Sequence, residues 1–154
     1  MNVDYINPFV TTAFQVCEMV LGHRPQKGAL QLLPQTFTSQ QCNVVIGIVG
    51  ELKGSVIYGM TLMTADQIAS TMIGQPIKTF DQLAASAIAE LGNMLGGNAL
   101  SELAKKGYNC DLTPPTIIRG SNVKMSTVSI PAVVIPMLLP LGEINITVGL
   151  QERK

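Results

Sequence analysis

Apolar positions first recur at helical spacing near the amino-terminal end of the chain. Phe9, Ala13, Phe14, Cys17, Val20 and Leu21 fall three or four residues apart or side by side, which lines one face of an α-helix. Asn7 can cap this helix, Pro8 suits its first turn, and Gly22 can end it. A strand is expected around Ala29 to Leu33. The segments Cys42–Val49 and Gly54–Met60 are rich in β-branched residues, and Gly50-Glu51-Leu52-Lys53 between them reads as a hairpin turn. A second helix runs through Ala65–Ile73, capped by Thr64, with Thr61 as second choice, and stopped by Gly74.

The longest periodic segment begins near Phe80-Asp81 and reaches Lys105 or Lys106, with Gly107 as its stop. Strand-like pieces follow at Thr116–Ile118 and Met125–Ile130. A final hairpin pairs Ala132–Leu139 with Glu143–Gln151, turning near Leu141-Gly142. Pro131, Pro136 and Pro140 around its first strand point to a sheet edge or to bulged segments. This order of elements predicts a single α+β domain over residues 1–154, with helices layered on a mainly antiparallel sheet. No sustained internal repeat, linker or low-complexity segment is visible.

Within the long helix, Ala84, Ile88, Leu91, Leu95, Ala99 and Leu103 form one apolar stripe at about 100° per residue. Ser86, Glu90 and Asn93 fall on the opposite side, within roughly 60° of arc, and Gly97 lies one turn further along the same stripe. Gly96 and Gly97 stand inside the helix, where each costs about 1 kcal/mol relative to Ala. Missing side chains on an exposed face would let another surface approach, although Gly96 could equally serve helix packing. By themselves a Ser, a Glu and an Asn on an outer helix face are ordinary solvated residues.

Composition narrows the chemistry. With 47% apolar and only 13% charged residues, the chain is built to bury a core and is not disordered. Lys plus Arg equals Asp plus Glu, ten against ten, and no basic stripe supports nucleic-acid binding. The apolar run Ile130–Leu141 is too short to span a bilayer and carries three prolines, and the first residues do not read as a secretory signal. A cytoplasmic protein is the expectation. Cys17, Cys42 and Cys110 show no paired spacing, and His23, the single histidine, sits in the loop Gly22-His23-Arg24-Pro25. Neither a metal cluster nor a Ser-His-Asp or Cys-His arrangement emerges from them.

The pattern Ser86-x-x-x-Glu90-x-x-Asn93, followed after twenty-one residues by Pro115, resembles the signature of the CheC/CheX/FliY family of chemotaxis phosphatases. That signature has Asp or Ser, three residues, Glu, two residues, Asn, and a Pro some twenty-odd residues onward. The stretch Ala89–Ala99 and the Val133–Pro136 to Val148–Leu150 hairpin are similar to the family as well. One copy of the motif is present, as in CheX-type members.

The resemblance implies a CheC-like two-layer fold and an enzyme that dephosphorylates a CheY-like response regulator. It implies that Asn93 places the attacking water and that Glu90 reaches the receiver's active-site lysine to dock it. Ser86 and Gly97 would be supporting positions, and Pro115 would shape the loop beside the helix. It further implies no cofactor of the chain's own, Mg²⁺ being carried by the phosphorylated partner, and a homodimer, for which Ile130–Leu141 could be the pairing edge. The alternative is a non-catalytic binding or adaptor module of the chemotaxis or flagellar-switch system. The Glu90/Asn93 pair separates the two, since FliM lacks it at the related helix.

Overall fold

The first helix starts earlier than its proline suggests. In the computed structural model, which describes residues 2–34, 36–126 and 132–153, α1 spans Val3–Leu21. Its cap is Asn2, whose Oδ1 accepts from the Asp4 N–H at 2.8 Å. Asn7 is therefore not the cap, and Pro8 lies inside the helix and buried. Pro8 forfeits the bond that an N–H there would donate to the Asp4 carbonyl, one turn beyond the helix start where proline loses nothing. Gly22, at φ 76°, closes α1 as expected, donating to the Glu18 carbonyl at 3.1 Å.

Helix α2 (Leu62–Ile73) is capped by Thr61, the second choice, whose Oγ1 accepts from the Thr64 N–H at 3.1 Å. Thr64 is unavailable for capping because its side chain is buried, sitting against Gly142 and receiving the Thr61 hydroxyl bond. Gly74 ends α2 at φ 81°. Helix α3 spans Gln82–Lys105; Asp81 Oδ1 accepts from the Ala84 N–H at 2.9 Å, and Gly107 follows at φ 97°.

The described strands are β1 (Gln26–Lys27), β2 (Gln31–Leu33), β3 (Thr36–Thr38), β4 (Cys42–Gly50), β5 (Leu52–Met60), β6 (Cys110–Leu112), β7 (Thr116–Arg119), β8 (Lys124–Ser126), β9 (Ala132–Leu139) and β10 (Gly142–Glu152). The expected strand at Ala29–Leu33 is thus shorter, and of Met125–Ile130 only the part to Ser126 falls within the described residues. β1, β3 and β6 are too short to leave a period in the sequence.

All pairings are antiparallel, in the order β1-β9-β10-β5-β4-β6, with β2 also on β9 and β7 also on β4; β3 and β8 form a separate ribbon. The β9 segment is accordingly no edge: β10 covers one side, and β1 and β2 cover the other. Pro136 sits at the break between β1 and β2, where its carbonyl accepts from Gly28 N–H at 2.7 Å. A residue's N and O point the same way along a strand, so the missing proline donor faces the gap rather than the β10 ladder.

The topology repeats even though the sequence does not. Helix, two short strands, a ribbon strand and a long hairpin occur twice, as α1–β1–β2–β3–β4–β5 and α3–β6–β7–β8–β9–β10. Each half lends its first two strands to the other half's hairpin, and β5 meets β10 at the centre.

Alternation then puts one sheet face under the helices. Register aligns Ile135, Ile146, Tyr58 and Val44 in one row and Val133, Val148, Val56 and Ile46 in the next. All eight are buried. The helices touch one another across this layer; α3 rests on β4, β6 and β7, and α1 and α2 rest on β10. Asp4 pairs with Lys106 at 3.6 Å and the Tyr5 ring meets Tyr108 edge-on, so α1 and α3 run antiparallel.

Candidate active site on α3

Helix α3 buries the stripe its spacing dictates: Ala84, Ile88, Leu91, Leu95, Ala99 and Leu103 are all 2% exposed or less. Ser86, Glu90 and Asn93 consequently project from the opposite face into solvent, with Gly97 on the same face. Among the described residues, neither the Glu90 carboxylate nor the Asn93 carboxamide has an intramolecular hydrogen bond or ion pair. Asn98, one turn beyond Met94, instead turns its amide back to the Met94 carbonyl at 2.6 Å. Glu90 is the single charge between Asp81 and Glu102. The face is therefore a lone carboxylate and a free carboxamide among small, uncharged neighbours.

Two glycines of this helix do opposite things. A Cβ on Gly92 would come within 2.7 Å of Val44 Cγ1, so Gly92 is what lets α3 lie directly on β4. A Cβ on Gly97 would meet nothing within 4 Å. Gly96, which the sequence offered for packing, would make only ordinary contacts with Leu112 and Ile46 at 3.4 and 3.6 Å. The packing role of Gly92 escaped the sequence reading; its place one turn after the buried Ile88 was the available signal. Gly92→Ala is expected to lower stability by about 1–3 kcal/mol in urea unfolding, because Val44 is β-branched, sits mid-sheet and cannot step aside. An unchanged or higher midpoint would show that α3 can lift without cost.

Pro115 is not on the helix but in the β6–β7 connection. Thr113 ties that connection to β4: its N–H donates to the Gly47 carbonyl at 2.9 Å, and its Oγ1 accepts from the Gly47 N–H at 2.8 Å. Pro114 and Pro115 have no amide hydrogen to continue the ladder, which splits this edge into β6 and β7. Ile48 pairs with Leu112 and Val45 with Thr116, so the connection runs beside Ile46 and Gly47. Ile46 in turn lies under Gly92 and Gly96. Pro115 thereby lies in a connection beside the strand on which α3 rests.

The start of α3 is pinned as firmly. Arg119 of β7 donates to the Phe80 carbonyl at 3.3 Å and stacks its guanidinium 4.6 Å over the Phe80 ring.

Ordinary hydrolytic groups are distant from this face in kind or in burial. Cys17 and Cys42 are buried and burial pushes both thiols up to about 11, so neither is a thiolate near neutrality. His23 is exposed just past the end of α1. Among the described residues, no three of His, Cys, Asp and Glu gather as a metal site. The other half of the fold offers no second copy of the face. Matching Gly22 with Gly107 places Tyr5 and Pro8 at the positions of Glu90 and Asn93, and both are buried.

Comparison with known proteins decides the family. The profile described as chemotaxis phosphatase CheX matches residues 42–138, well over half the chain. The chain belongs to the CheX family. It is 32% identical over 128 residues to the CheY-P phosphatase CheX of Thermotoga maritima, covering 82% of this chain and 83% of that one. Among solved structures, a CheC-like superfamily protein from Shewanella sp. PV-4 matches with TM-score 0.88 at 26% identity, covering 98% and 99% of the two chains. The CheX of a CheX–CheY–BeF₃–Mg²⁺ complex from Borrelia burgdorferi matches with TM-score 0.84 at 30% identity, covering 98% and 100%. The CheX family thus accounts for the α+β layering and for the phosphatase class of the chain.

Proposed function

We propose that this chain accelerates hydrolysis of the aspartyl phosphate on a CheY-like response regulator, presenting the exposed face of α3 to the receiver's phosphorylated site. The observation that carries the reading is the pairing of Glu90 and Asn93 on one exposed face, both side chains free of internal partners among the described residues. An aspartyl phosphate is an acyl phosphate, already activated toward water. The receiver would carry the Mg²⁺ and the cationic groups that neutralise the transferring phosphoryl, so the partner has mainly to position water in line.

Asn93 suits that task, since a carboxamide can both donate to and accept from a water but cannot serve as a base near neutrality. Glu90 would meet the receiver's active-site lysine through a charge-assisted hydrogen bond. Ser86, one turn earlier, would support that contact, and Pro115 would shape the wall beside Asn93. Dimerisation and a cytoplasmic location belong to the same proposal. Exposed Leu32 in β2 and Leu30 just before it favour that edge as the meeting surface of two copies. No helix among the described residues is long and apolar enough to cross a membrane.

The test loads a CheY-like receiver with radioactive phosphate and follows its decay with catalytic amounts of this protein. Faster decay is expected; unchanged decay despite complex formation would instead favour a binding module. Glu90→Ala should weaken the complex by about 2 kcal/mol or more, roughly thirtyfold in Kd, because it strands a cation in a closed interface. Calorimetric titration showing unaltered affinity would remove Glu90 from docking.

A further inference from the structure

Leu83 is a large apolar side chain left 57% exposed in the first turn of α3. At about 100° per residue it lies within about 20° of Glu90, two turns away, so it heads the same stripe as Ser86, Glu90, Asn93 and Gly97. Nothing in the proposed chemistry uses it. A single exposed leucine is unremarkable on most surfaces, but this one has a particular setting. From Gln82 to Ser101 the helix holds one charge, and its other exposed positions beside Leu83 are the uncharged Gln82, Ser86, Asn93, Asn98 and Ser101. Depletion of charge around a few anchors is the composition of an interface centre.

We infer that Leu83 is the apolar anchor by which the α3 face docks the receiver domain, a specificity residue rather than a catalytic one. This rests on the receiver reading above and deepens it. A solvent-exposed carboxylate such as Glu90 gains little from an ion pair while water reaches it. Apolar contacts that exclude water around such a pair strengthen it, and Leu83 would supply one about 10 Å along the same stripe. Leu83 is also held ready. Asp81 caps the helix two residues before it, and Arg119 fixes Phe80 through both ring and carbonyl. Little ordering of this turn then remains to be done on binding. The occupant is the receiver carrying Glu90's cationic partner, because Leu83 and Glu90 share one continuous stripe.

The test compares wild type with Leu83→Ala and Leu83→Asp. An acid in the first helical turn is favourable, so neither variant should lose thermal stability. Binding to a receiver activated with beryllofluoride and Mg²⁺ is measured by calorimetry, and KM and kcat by phosphate decay. The expected result is a Kd about tenfold higher for Ala and higher still for Asp, with KM rising in step and kcat retained. Binding within twofold of wild type in both variants overturns the inference while leaving the receiver reading intact. A loss of self-association in sedimentation, with receiver affinity unchanged, overturns it in favour of a second copy of this chain as the occupant. A wild-type protein that neither binds nor dephosphorylates a receiver overturns the underlying reading and this one with it.

Discussion

Asn93→Ala is expected to lower the catalysed rate of receiver dephosphorylation by about 10²-fold or more while leaving receiver affinity within about twofold. The asymmetry follows from what Asn93 does and does not touch. Its side chain is exposed and unbonded among the described residues, so truncation removes no internal contact. Ala is also the better helix former, by a few tenths of a kcal/mol, so α3 stays folded. Loss of rate in the variant therefore cannot be blamed on a displaced helix. If Asn93 orients the attacking water, the cost lies in the transition state and not in the complex, and kcat falls with KM held. Asn93→Asp should be no rescue: it keeps the acceptors but brings a second negative charge against the phosphoryl oxygens. Phosphate decay and calorimetry on the same samples check both halves. Equal losses of affinity and rate would make Asn93 a docking residue instead.

The parts legible in the sequence are those where one period governs many residues. The apolar stripe of α3 is anchored at six positions by three- and four-residue steps, and the same arithmetic places Ser86, Glu90 and Asn93 outside. The β4–β5 and β9–β10 hairpins were readable because β-branched runs flank glycine turns. What failed were decisions between neighbours that only tertiary packing makes. Thr64 reads as the better cap and Thr61 as the second until packing against Gly142 takes Thr64 inward. Pro8 looks like a helix start until burial of its ring and the Asn2 cap extend α1 backwards. Pro136 in β9 does lack a donor, but that donor is missing toward a gap between two short strands, which no local pattern announces. The duplicated topology was invisible because the two halves share pairing geometry without sharing residues. The site itself was only a polar stripe by periodicity; its functional reading came from the resemblance, and the structure adds the rigid mounting on Val44, Ile46 and the β6–β7 connection.

The same mounting separates stability from activity at Gly97. Replacing a mid-helix glycine by alanine stabilises a helix by about 1 kcal/mol when the new methyl has room, and a Cβ at Gly97 meets nothing within 4 Å. Gly97→Ala should therefore raise the melting temperature by about 2–4 °C in a domain of this size. On the proposed docking face that same open space is where the receiver's surface comes close, one turn beyond Asn93. Gly97→Leu should keep the fold and stand the receiver off by more than an ångström, enough to cost about 10²-fold in turnover where an in-line water must be placed. Gly92 and Gly97 thus carry opposite signs: Gly92 faces Val44 and has no room for a methyl, whereas Gly97 has that room and, on the proposed docking face, would leave it to the partner. Thermal unfolding and phosphate decay measured on both Gly97 variants decide the matter. A more stable Gly97→Leu protein with undiminished phosphatase activity would mean that the receiver does not approach this turn, and the docking face would have to be drawn closer to Glu90 and Leu83.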